Sequence, residues 1–516
     1  MKTLNSLASA AAVLLVAATA ACTPSPQESP TNSATGSAAG TGSVGGVTAA
    51  PAANLQRFYD QKISWQPCGD DQCGKLEVPI DYAKPEAGSI KLALLRHKSP
   101  SKNRQGSLVI NPGGPGGSGV QYAQYASAIF PGEVTRAYDV VGFDPRGVAA
   151  SQPIVCYDGP QFDAFLSVDP TPDDPAEEQQ LATADRDFGQ ACEQRNKALL
   201  GHVSTVEAAK DMDVLRAALG DQKLNFFGAS YGTFLGATFA DQFPKRVGRF
   251  ILDGAIDPSL DGKAQALGQA EGFERATQAY IADCITKSDC PLGNEQKAAT
   301  KRLQDFLTEL DQKPIPAGEG APGKLNEAWA SYGVAASMYD PGRWAGLTQS
   351  LSEAFRGDGT DLMLSAEEYV ERTDNGTYSG NMLQVINAVS CLDNQGDPNL
   401  ASYPKTAAEF AAKAPTFGKY MAWGGLVCGE WPIKATGKAH RITAPGADPI
   451  VVIGTTRDPA TPYEGAVALA GMLDSGVLVS RDGDGHTGYG RGNNCVDKAV
   501  NDYLVRGKAP ADGIKC

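Results

Sequence analysis

The sequence predicts an α/β fold: a mostly parallel central sheet flanked by helices, interrupted by an inserted, mainly helical cap. Three observations lead there. Short apolar segments alternate with helical ones at both ends of the 516 residues, as right-handed crossovers between parallel strands require. Glycine is abundant, at 58 residues, which suits many tight strand-to-helix turns. Between about 258 and 444 the alternation fails, and runs of Ala, Glu, Lys, Leu and Trp broken by Gly-Pro turns take over. The length also exceeds what one compact domain needs.

Residues 1–22, MKTLNSLASAAAVLLVAATAAC, carry one Lys, an apolar run short for a membrane span, and small residues ending at Cys22. This is an export signal of the lipoprotein type, in which Cys22 would be lipidated; Thr19 stands where such signals prefer Leu, so a plain secretory cut nearby is the alternative. Residues 23–53 are Thr, Ser, Gly, Ala and Pro with almost no charge, a flexible tether. The expected place is the outer face of the cytoplasmic membrane, held by lipid alone, or the medium.

The first part of the α/β domain, 54–257, offers strands at 76–81, 90–97, 107–111 and 138–143. A helix follows over 205–219, where Val206, Met212, Leu215 and Leu219 share one face, then a strand at 224–227, a helix at 234–243 and a strand at 249–252. After the cap, 258–444, the second part, 445–516, supplies strands at 449–454 and 477–480 and a closing helix at 495–506. No internal repeat is present.

The formal charge of −14, with no basic stripe, argues against nucleic acid as a partner. Ten of the eleven cysteines follow Cys22, an even number in a chain bound for an oxidising compartment. Short separations suggest Cys68 with Cys73, Cys156 with Cys192, Cys284 with Cys290, Cys391 with Cys428 and Cys495 with Cys516. Sequence does not fix that connectivity, and a metal site competes with it; four scattered histidines and no C-x-x-C pair make zinc a poor reading.

Gly228-Ala229-Ser230-Tyr231-Gly232 fits G-x-S-x-G, the sharp strand-to-helix turn that lifts a serine above a sheet. The bare pattern is weak in a glycine-rich chain. Its context is not, since an apolar strand enters it and a helix leaves it. Ser230 is therefore the expected nucleophile of an α/β-hydrolase fold. A serine needs a base, and the base needs an orienting acid. His97, His202 and His440 lie on an early strand, before a helix and at the end of the cap, whereas His486 follows the last predicted strand in a turn-rich loop. Asp458 ends the strand before it and is the expected acid, with Asp253 as its rival. A calcium reading of Asp482 and Asp484 lacks the remaining ligand spacing. Asn111-Pro112-Gly113-Gly114-Pro115-Gly116-Gly117 follows a strand with almost no side chains, so the amides of Gly114 and Tyr231 are the expected oxyanion donors. A phosphate loop would need a Lys that this run lacks.

PGGPGG, GFDPRG, GASYG, TTRDPATP and GDGHTGYG, in this order, resemble the proline iminopeptidase and tripeptidyl aminopeptidase group of secreted bacterial serine exopeptidases. The likeness runs over most of the chain beyond Asn54. It implies hydrolysis of short peptides from a free N-terminus by a monomer without cofactor or metal, with Asp144 and Arg146 as structural supports. Pro112 stands where the iminopeptidases carry His, so strict proline specificity is not implied. A free amine requires acidic partners: Glu271 and Glu274 are the first candidates, then Glu367, Glu368 and Glu371. Two other functions use the same residues differently: an esterase or lipase acting on envelope acyl esters, and a non-catalytic lipoprotein binding small molecules beneath the cap.

Overall fold

The computed structural model describes residues 48–516; Cys22, the signal and most of the tether lie outside the described residues. Ten strands form one sheet: β1 (Gln66–Cys68), β2 (Asp71–Pro79), β3 (Ser89–His97), β4 (Ser107–Asn111), β5 (Asp139–Phe143), β6 (Leu224–Ala229), β7 (Val247–Asp253), β8 (Ile450–Arg457), β9 (Gly476–Asp484) and β10 (Ile514–Lys515). Their order is β1-β2-β3-β5-β4-β6-β7-β8-β9-β10. Every neighbouring pair from β5 to β10 is parallel, and β1 to β3 add an antiparallel edge.

Parallel strands covered on both faces must be apolar throughout. Leu108, Val109 and Ile110 of β4, and Ile450 to Ile453 of β8, are indeed fully buried. The winding reverses at β4, which has β5 on one side and β6 on the other, and the crevice over such a reversal is where open α/β sheets bind ligands. Register sets the strand ends nearly level there: Asn111 pairs with Gly228, Ala229 with Asp253, and Asp253 with Ile453.

β4 and the helix Thr205–Leu219 have the expected bounds, while β8 and β9 run on to Arg457 and Asp484. Two edge strands were not expected. β1 and β10 are too short for a period to register, and each lies beside a disulfide, Cys68–Cys73 and Cys495–Cys516. The other three pairs are Cys156–Cys192, Cys284–Cys290 and Cys391–Cys428.

Between β7 and β8 the chain is helical, from Gly262–Cys284 through Glu327–Met338, Thr360–Tyr369 and Met382–Asp393 to Gly418–Trp423 and the short Leu426–Gly429. Two earlier helices, Gly159–Leu166 and Pro175–Leu200, pack with this cap rather than with the sheet alone. Arg372 pairs with Asp163 at 2.9 Å, Arg186 with Glu430 at 2.9 Å, and Asn326 Nδ2 donates to Ser167 O at 2.8 Å. The lid over the sheet is thus built from two stretches of chain, one of them inside 54–257. Among the described residues no helix is long and apolar enough to cross a membrane.

Candidate active site

β6 is apolar because it lies mid-sheet, with Phe226 fully buried, and it ends where the small residues begin. Ser230 sits at φ 57°, ψ −126°, left-handed backbone that a non-glycine residue adopts only when its surroundings compel it. The helix Tyr231–Gln242 starts at the next residue. A Cβ on Gly228 would lie 2.4 Å from Gly232 O, and one on Gly232 would lie 2.9 Å from Asn111 O. The turn therefore closes only with glycine at both places.

His486 follows β9 on a loop opened by Gly485 at φ 94°. Its Nδ1 lies 2.9 Å from both carboxylate oxygens of Asp458, and Thr461 Oγ1 lies 3.3 Å from the same nitrogen. Asp458 is fully buried and also accepts the amides of Ala460 and Thr461 at 2.9 Å and of Thr487 at 3.0 Å. With Nδ1 held by a carboxylate, the ring proton belongs there and Nε2 is left as the acceptor. Asp253, the rival acid, does not bond to the imidazole. It accepts Gly488 N at 2.7 Å and Tyr489 N at 2.9 Å, bracing the loop that carries His486, and burial pushes its carboxyl up to about 6.

Serine and histidine are both anchored on one strand end, Asp253–Gly254. Ser230 N donates to Asp253 O at 2.8 Å, and a Cβ on the following Gly254 would lie 3.3 Å from His486 Cε1. Ser230 Oγ makes no hydrogen bond to His486 among the described residues.

Gly113 and Gly114 take φ 101° and 109°, and a Cβ on Gly113 would lie 2.8 Å from Ser230 Cβ and 3.1 Å from Tyr231 N. The glycine loop thus packs onto the turn itself. Neither Gly114 N nor Tyr231 N donates to a described residue, so both can serve a developing oxyanion. Asp144 fastens the loop's exit by accepting Ser118 Oγ at 2.6 Å and Val120 N at 3.1 Å. Arg146 is buried in a cage of Asp211, Glu207 and three carbonyls, away from the reacting atoms.

The cap reaches the site through residues that carried no sequence signal. Tyr339 packs edge-on to His486 with ring centres 5.4 Å apart, its carbonyl accepts His486 N at 2.9 Å, and its hydroxyl lies 3.3 Å from that of Tyr369. Thr461, by contrast, stands within TTRDPATP and could have been singled out. A cavity of about 1000 Å³ opens between cap and sheet, lined by Ala255, Ile256, Thr461 and Pro462 below and by Tyr420 and Met421 above.

Of the two first-choice amine partners, Glu271 lines this cavity and is partly exposed. Glu271 pairs with Lys413 at 3.6 Å, and Glu274 accepts Thr416 N at 2.8 Å and Gln278 Nε2 at 2.9 Å. Glu367 and Glu368 pair with Arg372 and Arg343. Glu371 has no cationic partner among the described residues: its carboxylate accepts one hydrogen bond, from Met382 N at 3.4 Å, and burial raises its pKa. Asp482 and Asp484 both pair with Arg457, and His97, His202 and His440 pair with Asp71, Glu207 and Asp241.

The fold and this arrangement define a serine hydrolase of the α/β-hydrolase class. Residues 414–516 match the family described as TAP-like protein. The serine protease Hip1 of Mycobacterium tuberculosis is 38% identical over 480 residues, covering 88% of this chain and 91% of that protein. The tripeptidyl aminopeptidase of Streptomyces lividans is 33% identical over 471 residues, covering 88% and 86%. Carboxylesterase B of M. tuberculosis is 35% identical over 453 residues, covering 86% of each. The chain belongs to the family of these serine proteases and tripeptidyl aminopeptidases.

Proposed function

We propose that this serine hydrolase is an exopeptidase that releases short peptides or amino acids from the free N-terminus of a peptide through an acyl-enzyme. Ser230 Oγ attacks the scissile carbonyl while His486 Nε2 takes its proton and passes it to the leaving amine. Asp458 keeps the imidazole in the tautomer this requires, and the amides of Gly114 and Tyr231 hold the oxyanion. Water then gives its proton to His486, attacks the ester and releases Ser230.

Glu371 carries the exopeptidase part. Its carboxylate is partly buried with a single long hydrogen bond, so an incoming ammonium would supply the charge partner it lacks. Its surroundings lead to the site from two directions. Tyr369, two residues earlier, touches Tyr339, which packs on His486. Met382 lies against the glycine loop, 2.9 Å from where a Cβ of Gly116 would sit. These contacts support a carboxylate within a few residues' reach of the bound carbonyl.

An unblocked tripeptide amide should be cleaved and its N-acetyl form should not. Glu371→Gln should raise KM for the free peptide roughly 10- to 100-fold, the scale of a lost hydrogen bond to a charged group, with turnover of a small acyl ester unchanged. Equal cleavage of blocked and free peptides would refute the exopeptidase reading. The relative named carboxylesterase B supports a second reading, in which the same residues act on acyl esters. The esterase reading requires the ester, rather than the peptide, to be the faster substrate.

A further inference from the structure

Tyr231 offers its amide to the oxyanion, but its side chain points the other way. The phenol is buried, and its hydroxyl lies 2.5 Å from Thr205 Oγ1. Thr205, the first residue of the helix Thr205–Leu219, also lies 2.5 Å from Asp393 Oδ2 and donates its amide to Asp393 Oδ1 at 2.9 Å. Asp393 is the last residue of the cap helix Met382–Asp393 and is 6% exposed. A cap carboxylate is thus joined by two hydroxyls to the residue after the nucleophile.

The other end of that cap helix touches the glycine loop that carries the other expected donor. Met382 O and Cα would lie 2.9 and 3.0 Å from a Cβ on Gly116, two residues beyond Gly114, and Val385 Cβ would lie 3.1 Å from it. The helix is itself clamped, because Cys391 is bonded to Cys428 and the amides of Thr436 and Gly437 donate to Leu392 O at 2.8 Å. Burying a carboxylate is costly, and a neutral side chain would fill this space at lower cost unless the acceptor were needed.

We propose that Asp393 is a positioning residue for the hydrolytic step: the cap helix Met382–Asp393 sets the spacing of the two oxyanion donors, one through Met382 and Gly116, the other through Asp393, Thr205 and Tyr231. The inference rests on the reading of Gly114 and Tyr231 as those donors. It makes the cap a part of the catalytic geometry.

The test uses the full enzyme with Asp393→Asn, Tyr231→Phe and the double variant. Each single change should lower kcat about 10- to 100-fold on a peptide amide and on a small acyl ester, with KM within about twofold, the pattern of an interaction made only in the transition state. The double variant should be little worse than the worse single one, because both cut the same chain of contacts. The rate of Ser230 phosphonylation by a fluorophosphonate probe should fall in parallel. Equal labelling rates in wild type and variants, or an effect confined to KM, would overturn the positioning role. A wild-type enzyme that is not labelled would instead overturn Ser230 itself. Should Asp393→Asn fail to fold, Tyr231→Phe alone decides, since it keeps the ring and both Asp393–Thr205 contacts.

Discussion

Asp253 and Asp458 are both buried carboxyls at the ends of adjacent strands, and only their partners tell them apart. Asp458 spends its oxygens on the imidazole and three amides, whereas Asp253 spends its own on two amides of the loop carrying that imidazole. Asp458→Asn should therefore lower kcat about 10³- to 10⁴-fold with little loss of fold, since an amide cannot enforce the same tautomer. Asp253→Asn should act chiefly on stability, by about 1–3 kcal/mol for a disturbed buried acceptor. Measured kcat and unfolding temperature for the two variants check this, and the opposite ranking would exchange their roles. At this scale the turn around Ser230 was legible because its demand for small neighbours is local. How free Glu271 and Glu274 are was not, because that depends on Lys413 and Thr416, which lie far along the chain.

Three helices of the lid and its joint with the sheet each hold a carboxyl that burial raises: Asp185 to about 8 on Pro175–Leu200, Glu327 to about 7 on Glu327–Met338, and Asp393 to about 7 on Met382–Asp393. The unfolded values are those of ordinary carboxylates, near 4. Between those limits the folded chain holds more protons than the unfolded one, so stability falls as pH rises. The unfolding temperature should accordingly be higher at pH 6 than at pH 8.5; calorimetry giving a rise over that interval would contradict the assignment. The Thr205–Leu219 helix has the expected bounds, but of the face read for it Met212 and Leu215 are buried while Val206 is exposed; the central strands were readable from their unbroken apolar runs. β1 and β10 were not, because strands of three and two residues owe their pairing to a neighbouring strand rather than to any period of their own.

For the molecule as a whole, the lid is stitched from both sides of the nucleophile. Cys156–Cys192 closes a 36-residue separation and Cys391–Cys428 one of 37, loops for which a disulfide stabilises by about 3–4 kcal/mol. The tether and Cys22 carry a further prediction, that the enzyme is held to a membrane by lipid. Cys22→Ser should move it from the membrane fraction to the medium, and a wild-type enzyme found wholly in the medium would exclude the anchor. Sequence alone determined the alternation of the two ends, the nucleophile turn, the glycine loop and the order serine, acid, histidine, since each is written in neighbouring residues. Only the tertiary structure decided which acid holds the histidine, that Glu371 has no cationic partner among the described residues, and that a cap helix reaches the glycine loop at Gly116 and, through Thr205, the side chain of Tyr231. Those are matters of distance between residues tens to hundreds of positions apart, and no local preference of the chain encodes a distance.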